Sequence, residues 1–315
     1  MFHQAQNIAI IRRNGLGDLL CAMPLVSYCR KQAPNAEITL FVDRRNAPLT
    51  PYLKGFDEIH VFTRGNKYLA ACLAGFKHRG KSFDIAIAAK PTPMKLMSFS
   101  LFALGAEKRI AVTDKGIVSR LVNSPQPMKP EGSRHQALAI LQLVAPEIQE
   151  LPRELYPKLH MPFAAKPNAI PVLFVSLTNN RQASSLGVEG HQRVLNALAK
   201  DVHFKTLISC ESRDIAKAKA LSAKLTMDHE VSPSYSIDQL LLQLQRSDAV
   251  FVGDGGVMHL AAALDKPQVV LFGRPIDTQW HPLSDKATWH VAHEHVLDIC
   301  VDSVVEDLRT IFKNF

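Results

Sequence analysis

Ser247-Asp-Ala-Val-Phe-Val-Gly-Asp-Gly-Gly-Val-Met-His-Leu-Ala-Ala-Ala-Leu-Asp-Lys-Pro-Gln-Val-Val-Leu-Phe-Gly-Arg-Pro275 is the stretch from which the fold can be read. Ala249 to Gly253 is a short apolar run of the kind a buried parallel strand uses. Asp254, Gly255 and Gly256 follow at once, Val257 to Leu264 carries helix formers in a helical rhythm, and Val269 to Phe272 is a second apolar run. Strand, glycine turn, short helix, strand is a βαβ module. Its glycines let the backbone come close to a ligand, and its helix N-terminus offers free N–H groups to an anion. A tight turn without a ligand would account for Gly-Gly alone. His259 one turn into the helix and Asp254 at the carboxyl end of the strand favour a site.

Strands and helices alternate on the N-terminal side of this module as well. Strands are expected over Asn7–Arg12, Glu37–Val42, Glu58–Phe62, Phe83–Ala88 and Lys108–Val112. Helices are expected over Leu19–Gln32, Lys67–Arg79 and Arg134–Val144, with Asn14–Asp18 a glycine turn and Gly75 a weak point in its helix. Pro152, Pro157, Pro162, Pro167 and Pro171 mark residues 150–171 as a linker, while the Pro-rich Asn123–Gly132 reads as a loop. A second series follows: strands Val172–Leu177 and His203–Ser209, helices Gly190–Lys200 and Glu211–Leu225, and a helix to Arg246 opened by the capping box Ser236-Ile237-Asp238-Gln239. Asp302–Lys313 is a final amphipathic helix. This alternation predicts parallel doubly wound sheets, the same architecture used twice.

The 315 residues suffice for two domains of about 150 each, and a 47% hydrophobic content excludes global disorder. The net charge of +8 is unevenly spread. Residues 1–160 hold 22 Lys and Arg against 12 Asp and Glu, net +10, and residues 161–315 hold 15 against 17, net −2. The first half therefore favours an anionic partner: nucleic acid, anionic lipid or a phosphorylated sugar. Aromatic residues are only 7%, with no interleaving of basic and aromatic side chains, which argues against nucleic acid. Five scattered cysteines without a Cys-x-x-Cys pair read as reduced thiols of a cytoplasmic protein, and Cys21 and Cys29, eight apart, share a helix face. No secretory signal and no apolar run long enough to span a bilayer is visible. Met94–Ala106 is unusually apolar between Lys90, Lys95, Lys108 and Arg109, and suits either a core helix or a helix lying on an anionic membrane surface. His290, His293 and His295 beside Glu294 fit no helical metal-ligand spacing, so no metal is expected.

Asp254-Gly-Gly-x-x-His-Leu-Ala-Ala-Ala-Leu-x-x-Pro-x-Val-x-Leu-Phe-Gly273 resembles the donor-site motif of the lipopolysaccharide heptosyltransferases, glycosyltransferase family 9. Arg13-Asn14-Gly15-Leu16-Gly17-Asp18-Leu19-Leu20 is similar to the Gly-Asp loop that follows that family's first strand. The resemblance implies a GT-B fold, two facing Rossmann-like domains with an interdomain cleft. It implies an acceptor-binding domain over residues 1–155 and a nucleotide-sugar-binding domain over 165–315, the last helix being able to pack back on the first domain. The implied activity is inverting transfer of a heptose from ADP-heptose to a lipopolysaccharide core acceptor, with no cofactor. The implied partners are a nucleotide sugar and an anionic glycolipid, at the inner face of the cytoplasmic membrane.

Residue by residue, the resemblance makes Asp18 the general base and brings Asn14, Gly15 and Gly17 to the acceptor. From the residues alone, a helix N-cap is the favoured role for Asp18 at a strand's carboxyl end, and it is the resemblance that turns the reading to a base. Gly255 and Gly256 would offer N–H groups to the donor diphosphate, with Asp254 and His259 beside them. Thr178, Asn179 and Arg181 follow the first strand of the second half, where the family contacts donor phosphates. The family also has a lysine a few residues on. Here the segment reads Gln182-Ala183-Ser184-Ser185-Leu186, so Arg181 would have to serve, with different reach and geometry. Glu211 aligns with a family acid near the ribose and is alternatively a dipole-favoured acid at a helix start. Tyr235 could stack on the base or stand as a surface tyrosine. A related transferase with another nucleotide sugar and a non-catalytic sugar-nucleotide-binding homologue are the competing readings. A dehydrogenase is disfavoured, because Gly15-Leu16-Gly17-Asp18 lacks the third glycine of the dinucleotide fingerprint.

Overall fold

Ile8 to Ile11 carry apolar side chains to both faces and are fully buried, so Asn7–Arg12 (β1) lies inside a sheet rather than at its edge. The computed structural model describes residues 2–313 and 315, except 115, 129 and 131. After β1 come α1 (Leu16–Gln32), β2 (Glu37–Val42), β3 (Glu58–Val61), α2 (Lys67–Lys77), β4 (Ile85–Ala88), α3 (Lys95–Ala103), β5 (Lys108–Val112), β6 (Ser124–Gln126) and α4 (Gln136–Leu141). The six strands form one parallel sheet in the order β3-β2-β1-β4-β5-β6. The register pairs Ile8 with Ile38 on one side and Ile85 on the other.

The chain divides into two units at Pro157. The second repeats the plan with β7 (Val172–Ser176), α5 (Gly187–Leu198), β8 (Lys205–Cys210), α6 (Ile215–Ser222), β9 (His229–Pro233), α7 (Ile237–Arg246), β10 (Ala249–Gly253), α8 (Gly256–Ala263), β11 (Gln268–Phe272), α9 (Asp277–Trp280), β12 (Ala287–Val291) and α10 (Val301–Phe312). Its sheet runs β12-β11-β10-β7-β8-β9, again all parallel. Counted from the first strand of each unit, the two orders are the same. In each, the order reverses beside the first strand, between β1 and β4 and between β7 and β10. The crevice at the carboxyl ends beside such a reversal is where open α/β sheets bind ligands.

Three strands escaped the sequence reading: β6, inside the stretch read as a loop, β9 and β12. All are edge strands or lie at the sheet margin, partly exposed on their faces. They lack a continuous apolar run, and Pro125 and Pro233 are tolerated where no further strand requires an N–H. α1 starts at Leu16 rather than Leu19, because Asn14 takes a left-handed backbone (φ 91°) and turns the chain before Gly15. Cys21 and Cys29 are both buried on α1, and burial pushes the Cys21 thiol up to about 12.

Met94–Ala106 resolves to a core helix: Leu96, Met97 and Leu101 of α3 are buried against the sheet with Leu104 and Ala106. α10 buries Val304, Val305, Leu308 and Phe312 in the core of its own unit, against α5 and β11. His290 is engaged with Asp307 of that helix at 2.9 Å. Among the described residues no helix is long and apolar enough to cross a membrane.

Candidate active site

The carboxyl edge of the second sheet gathers the residues singled out in that half. Asp254 directly follows β10, Thr178, Asn179 and Arg181 follow β7, Glu211 follows β8, and Tyr235 follows β9. At β7 the loop is tied to β10 by one side chain. Asn179 donates through Nδ2 to the carbonyls of Asp254 and Ser184, both at 3.1 Å, and its Oδ1 accepts from the Arg181 N–H at 2.8 Å. The Arg181 guanidinium pairs with the Asp254 carboxylate. Asp254 is 1% exposed, and burial pushes its carboxyl up; Arg181 opposes that push by its charge and hydrogen bond without cancelling it. Arg181 also sits over the Trp280 ring, 5.6 Å from its centroid, and Trp280 meets the buried His259 ring edge-on at 6.1 Å.

Gly255 caps α8 without a side chain, so the first N–H groups of that helix have no side-chain acceptor at their cap. A Cβ on Gly256 would meet nothing within 4 Å, whereas a Cβ on Gly253 would lie 1.9 Å from the Ser184 carbonyl oxygen and one on Gly273 1.9 Å from that of Ala183. The segment 182–186 is thus pressed beneath the ends of β10 and β11, and the Ser184 hydroxyl accepts from the Gly273 N–H at 3.0 Å. At β8, the Thr178 hydroxyl accepts from the Glu211 N–H and donates to Asp214, both at 2.8 Å. Asp214 also holds Lys217 at 2.7 Å. Burial pushes Asp214 up, but the Lys217 and Thr178 hydrogen bonds and the Arg213 charge hold it below its ordinary value. The Glu211 carboxylate faces outward to Arg213 at 3.2 Å. Tyr235 is exposed at the end of the edge, and its backbone N–H is held by Gln239 at 2.7 Å.

In the first unit, Asp18 lies in the first turn of α1 and is not the N-cap, a place Gly15 takes. Its Oδ2 accepts from the Gly15 N–H at 3.1 Å, the N3-to-N-cap half of a capping box, and its Oδ1 pairs with Arg12. Arg12 is 2% exposed and also donates to the Ala89 carbonyl at 2.6 Å, across the reversal between β1 and β4. Burial, then the Arg12 charge, pushes the Lys90 ammonium down, with Asp18 pulling the other way. Asn14 and Arg13 are both anchored on Asp43, the Asn14 N–H at 3.2 Å and the Arg13 guanidinium at 2.6 Å. Gly17, expected in the glycine turn, is buried in the first turn of α1.

A model of glycosyltransferase family 9 (heptosyltransferase) matches residues 79–302. The chain belongs to glycosyltransferase family 9. Lipopolysaccharide heptosyltransferase 2 of Salmonella typhimurium is 28% identical over 149 residues, which is 42% of this chain and 40% of that relative. The match thus spans less than half the relative's length. A family 9 glycosyl transferase structure from Veillonella parvula superimposes with a TM-score of 0.86 over 100% of this chain and 99% of the other, at 15% identity. The structure of Escherichia coli heptosyltransferase WaaC with ADP gives 0.74 over 97% and 99%, also at 15% identity. At such identities the likeness is one of fold, and the fold is GT-B.

Several side chains around the candidate loops of each unit were silent in the sequence. Arg12, Lys90 and Asp43 surround the Gly-Asp loop, and Trp280, Ser184 and Asp214 brace the β7 loop. Trp280 left one signal: it is one of only two tryptophans and lies just after the β11 glycine.

Proposed function

We propose that the chain is an inverting glycosyltransferase that moves a heptose from ADP-heptose to a lipopolysaccharide core acceptor. The observation that carries the reading is the second sheet's carboxyl edge, where Asp254, the Thr178–Arg181 loop, Glu211 and Tyr235 stand at four adjacent strand ends. At about 4.8 Å between strands, that run measures about 14 Å, room for a diphosphate at one end and a nucleoside toward the other. Support comes from the WaaC structure, which contains ADP, and from the Salmonella relative, a lipopolysaccharide heptosyltransferase.

In this reading the diphosphate lies against the N–H groups opening α8, near Gly255, Gly256 and His259. Arg181 already answers Asp254, so backbone dipoles supply most of the stabilisation as charge develops on the departing ADP. The acceptor hydroxyl oxygen bonds to the anomeric carbon while the bond from that carbon to the diphosphate oxygen breaks. Asp18 takes the hydroxyl proton through a lone pair its two partners leave open, and ADP leaves with the electron pair. Attack opposite the leaving group inverts the anomeric centre. Asn14, Gly15 and Gly17 border the acceptor, and the net +10 of residues 1–160 favours a phosphorylated one.

A related transferase using another nucleotide sugar is the second reading. It is favoured by segment 182–186, which has no lysine and whose backbone carbonyls are pressed against Gly253 and Gly273. Thermal shift with ADP, UDP, GDP and NAD separates the two, since a ligand that binds only the folded state raises the melting temperature. ADP is expected to stabilise most, and acceptor-dependent ADP release from ADP-heptose is expected in a transfer assay. A larger shift with UDP or GDP overturns the ADP assignment. Failure of ADP-heptose to transfer, in protein that ADP stabilises, overturns the heptosyl assignment.

A further inference from the structure

Helix α2 reverses the usual distribution of a surface helix. Ala70, Ala71, Ala74 and Gly75 face the core, while Leu69, Cys72, Leu73 and Phe76 stand on the other side. With 3.6 residues per turn, the two sets centre about 180° apart. Surface helices ordinarily spend their large apolar side chains inward. Here the inward face is small because α3 presses against it: a Cβ on Gly75 would lie 2.1 Å from the Ala103 carbonyl oxygen. Leu69, Leu73 and Phe76 are left 58%, 50% and 78% exposed, and α3 beside them exposes Phe102. A continuous exposed apolar stripe of this kind marks a contact surface.

The charge around the stripe selects the partner. From Ile59 to Phe83 the chain carries Arg64, Lys67, Lys77, Arg79 and Lys81 and no acidic residue. Lys81 is engaged with Glu37 and Glu58, while Arg64, Lys67, Lys77 and Arg79 are exposed. Lys67 and Lys77 sit at the two ends of α2. Glu107 shares a shallow hollow with Phe76 and Arg79 at one end of the stripe. A second copy docking here about a two-fold axis would set Lys67 against Lys77 at both ends, an arrangement of like charges. An anionic surface has no such conflict.

We infer that the outer face of α2 docks the chain on a bilayer carrying anionic headgroups. Leu69, Leu73 and Phe76 enter the boundary between headgroups and acyl chains, and Arg64, Lys67, Lys77 and Arg79 meet the lipid phosphates. This goes beyond the transferase reading and does not depend on the donor, whose residues lie in the other unit.

Flotation of the full chain with vesicles of phosphatidylcholine, with and without phosphatidylglycerol, tests it. The wild type is expected to float with the phosphatidylglycerol vesicles and to be released by salt. Leu73→Glu with Phe76→Glu, and separately Lys67→Glu with Lys77→Glu, are expected to weaken binding by about tenfold or more. Both double variants are expected to keep the wild-type melting temperature and its shift with ADP. Absence of wild-type binding to phosphatidylglycerol vesicles overturns the inference, as does wild-type-like binding by the apolar double variant. So does a wild-type dimer, seen by sedimentation, that these substitutions dissociate, because the face would then belong to a second copy.

Discussion

Asp18 divides its carboxylate between Arg12 and the Gly15 N–H, and that division sets what its replacement does. An asparagine keeps an acceptor for Gly15 but leaves Arg12, 2% exposed, without its counter-charge. Removing one partner of a fully buried pair costs about 3–5 kcal/mol; Asp18 is 26% exposed, so solvent screening reduces this to roughly 1–3 kcal/mol. Asp18→Asn is therefore expected to melt lower than the wild type and, measured where both are folded, to lose about 10²- to 10⁴-fold in transfer rate. Adding Arg12→Met should return part of the stability and none of the rate. Near wild-type transfer by folded Asp18→Asn would end the general-base assignment. Gly256 offers the opposite case. Its Cβ position is open, so Gly256→Val should melt like the wild type yet bind ADP at least tenfold more weakly, about 1.4 kcal/mol by calorimetry. Gly253→Ala should instead destabilise the fold, because its Cβ meets the Ser184 carbonyl. ADP affinity unchanged in Gly256→Val would remove the diphosphate from the start of α8.

At the scale of elements, Gly75 shows how a residue that weakens a helix by propensity can strengthen its packing. Glycine to alanine in an exposed helix gains up to about 1 kcal/mol. In α2 the new methyl would collide with α3 backbone, and overpacking of that kind costs about 1–3 kcal/mol. Gly75→Ala is thus expected to lower the denaturation midpoint, and a raised midpoint would mean the two helices part freely. The sequence marked Gly75 as a weak point because intrinsic propensity is local and the Ala103 contact is not. The same distinction governs the rest. Interior strands such as β1, β2 and β10 were legible because burial on both faces writes an unbroken apolar run. The marginal strands β6, β9 and β12 were not, because half-exposed strands carry polar residues and prolines. The glycines and Asp254 at strand ends were legible for the same local reason. Lys90, Trp280 and Asp214 were not, since each reaches its place from a separate segment through tertiary contact, and Arg12, at the end of an apolar strand, gave no sign that it turns in to pair with Asp18.

Across the whole molecule, both units bury histidines as neutral groups, and this gives a pH dependence whose sign can be worked out. In the second unit His191 lies under β10, its ring 5.8 Å from Phe251 and its Nδ1 2.6 Å from the Gly187 carbonyl. Burial holds it at about 4, with the Gly187 hydrogen bond acting weakly against the shift. In the first unit His60 contacts His78 at 3.1 Å among Phe41, Phe62 and Phe83, and burial followed by the His78 charge also brings it to about 4. An unfolded histidine titrates near 6.5. Above that pH neither state takes the proton. Between 6.5 and 4 the unfolded chain takes it and the folded chain does not, so stability is full above 6.5 and falls as pH drops toward 4. For His191 the interval corresponds to about 3 kcal/mol. Asp254, pushed up by burial, acts in the opposite sense over acidic pH, so the test must isolate the histidine. Both tryptophans, Trp280 and Trp289, belong to the second unit, so their fluorescence reports that unit alone. Denaturant unfolding followed by tryptophan emission, for the wild type and His191→Leu, gives a stability difference at each pH. That difference should shift by about 3 kcal/mol in favour of the leucine variant between pH 7 and pH 4. A difference that stays flat over this range would show that His191 takes up its proton without unfolding, and that its burial in the native state is not what the packing around Phe251 implies.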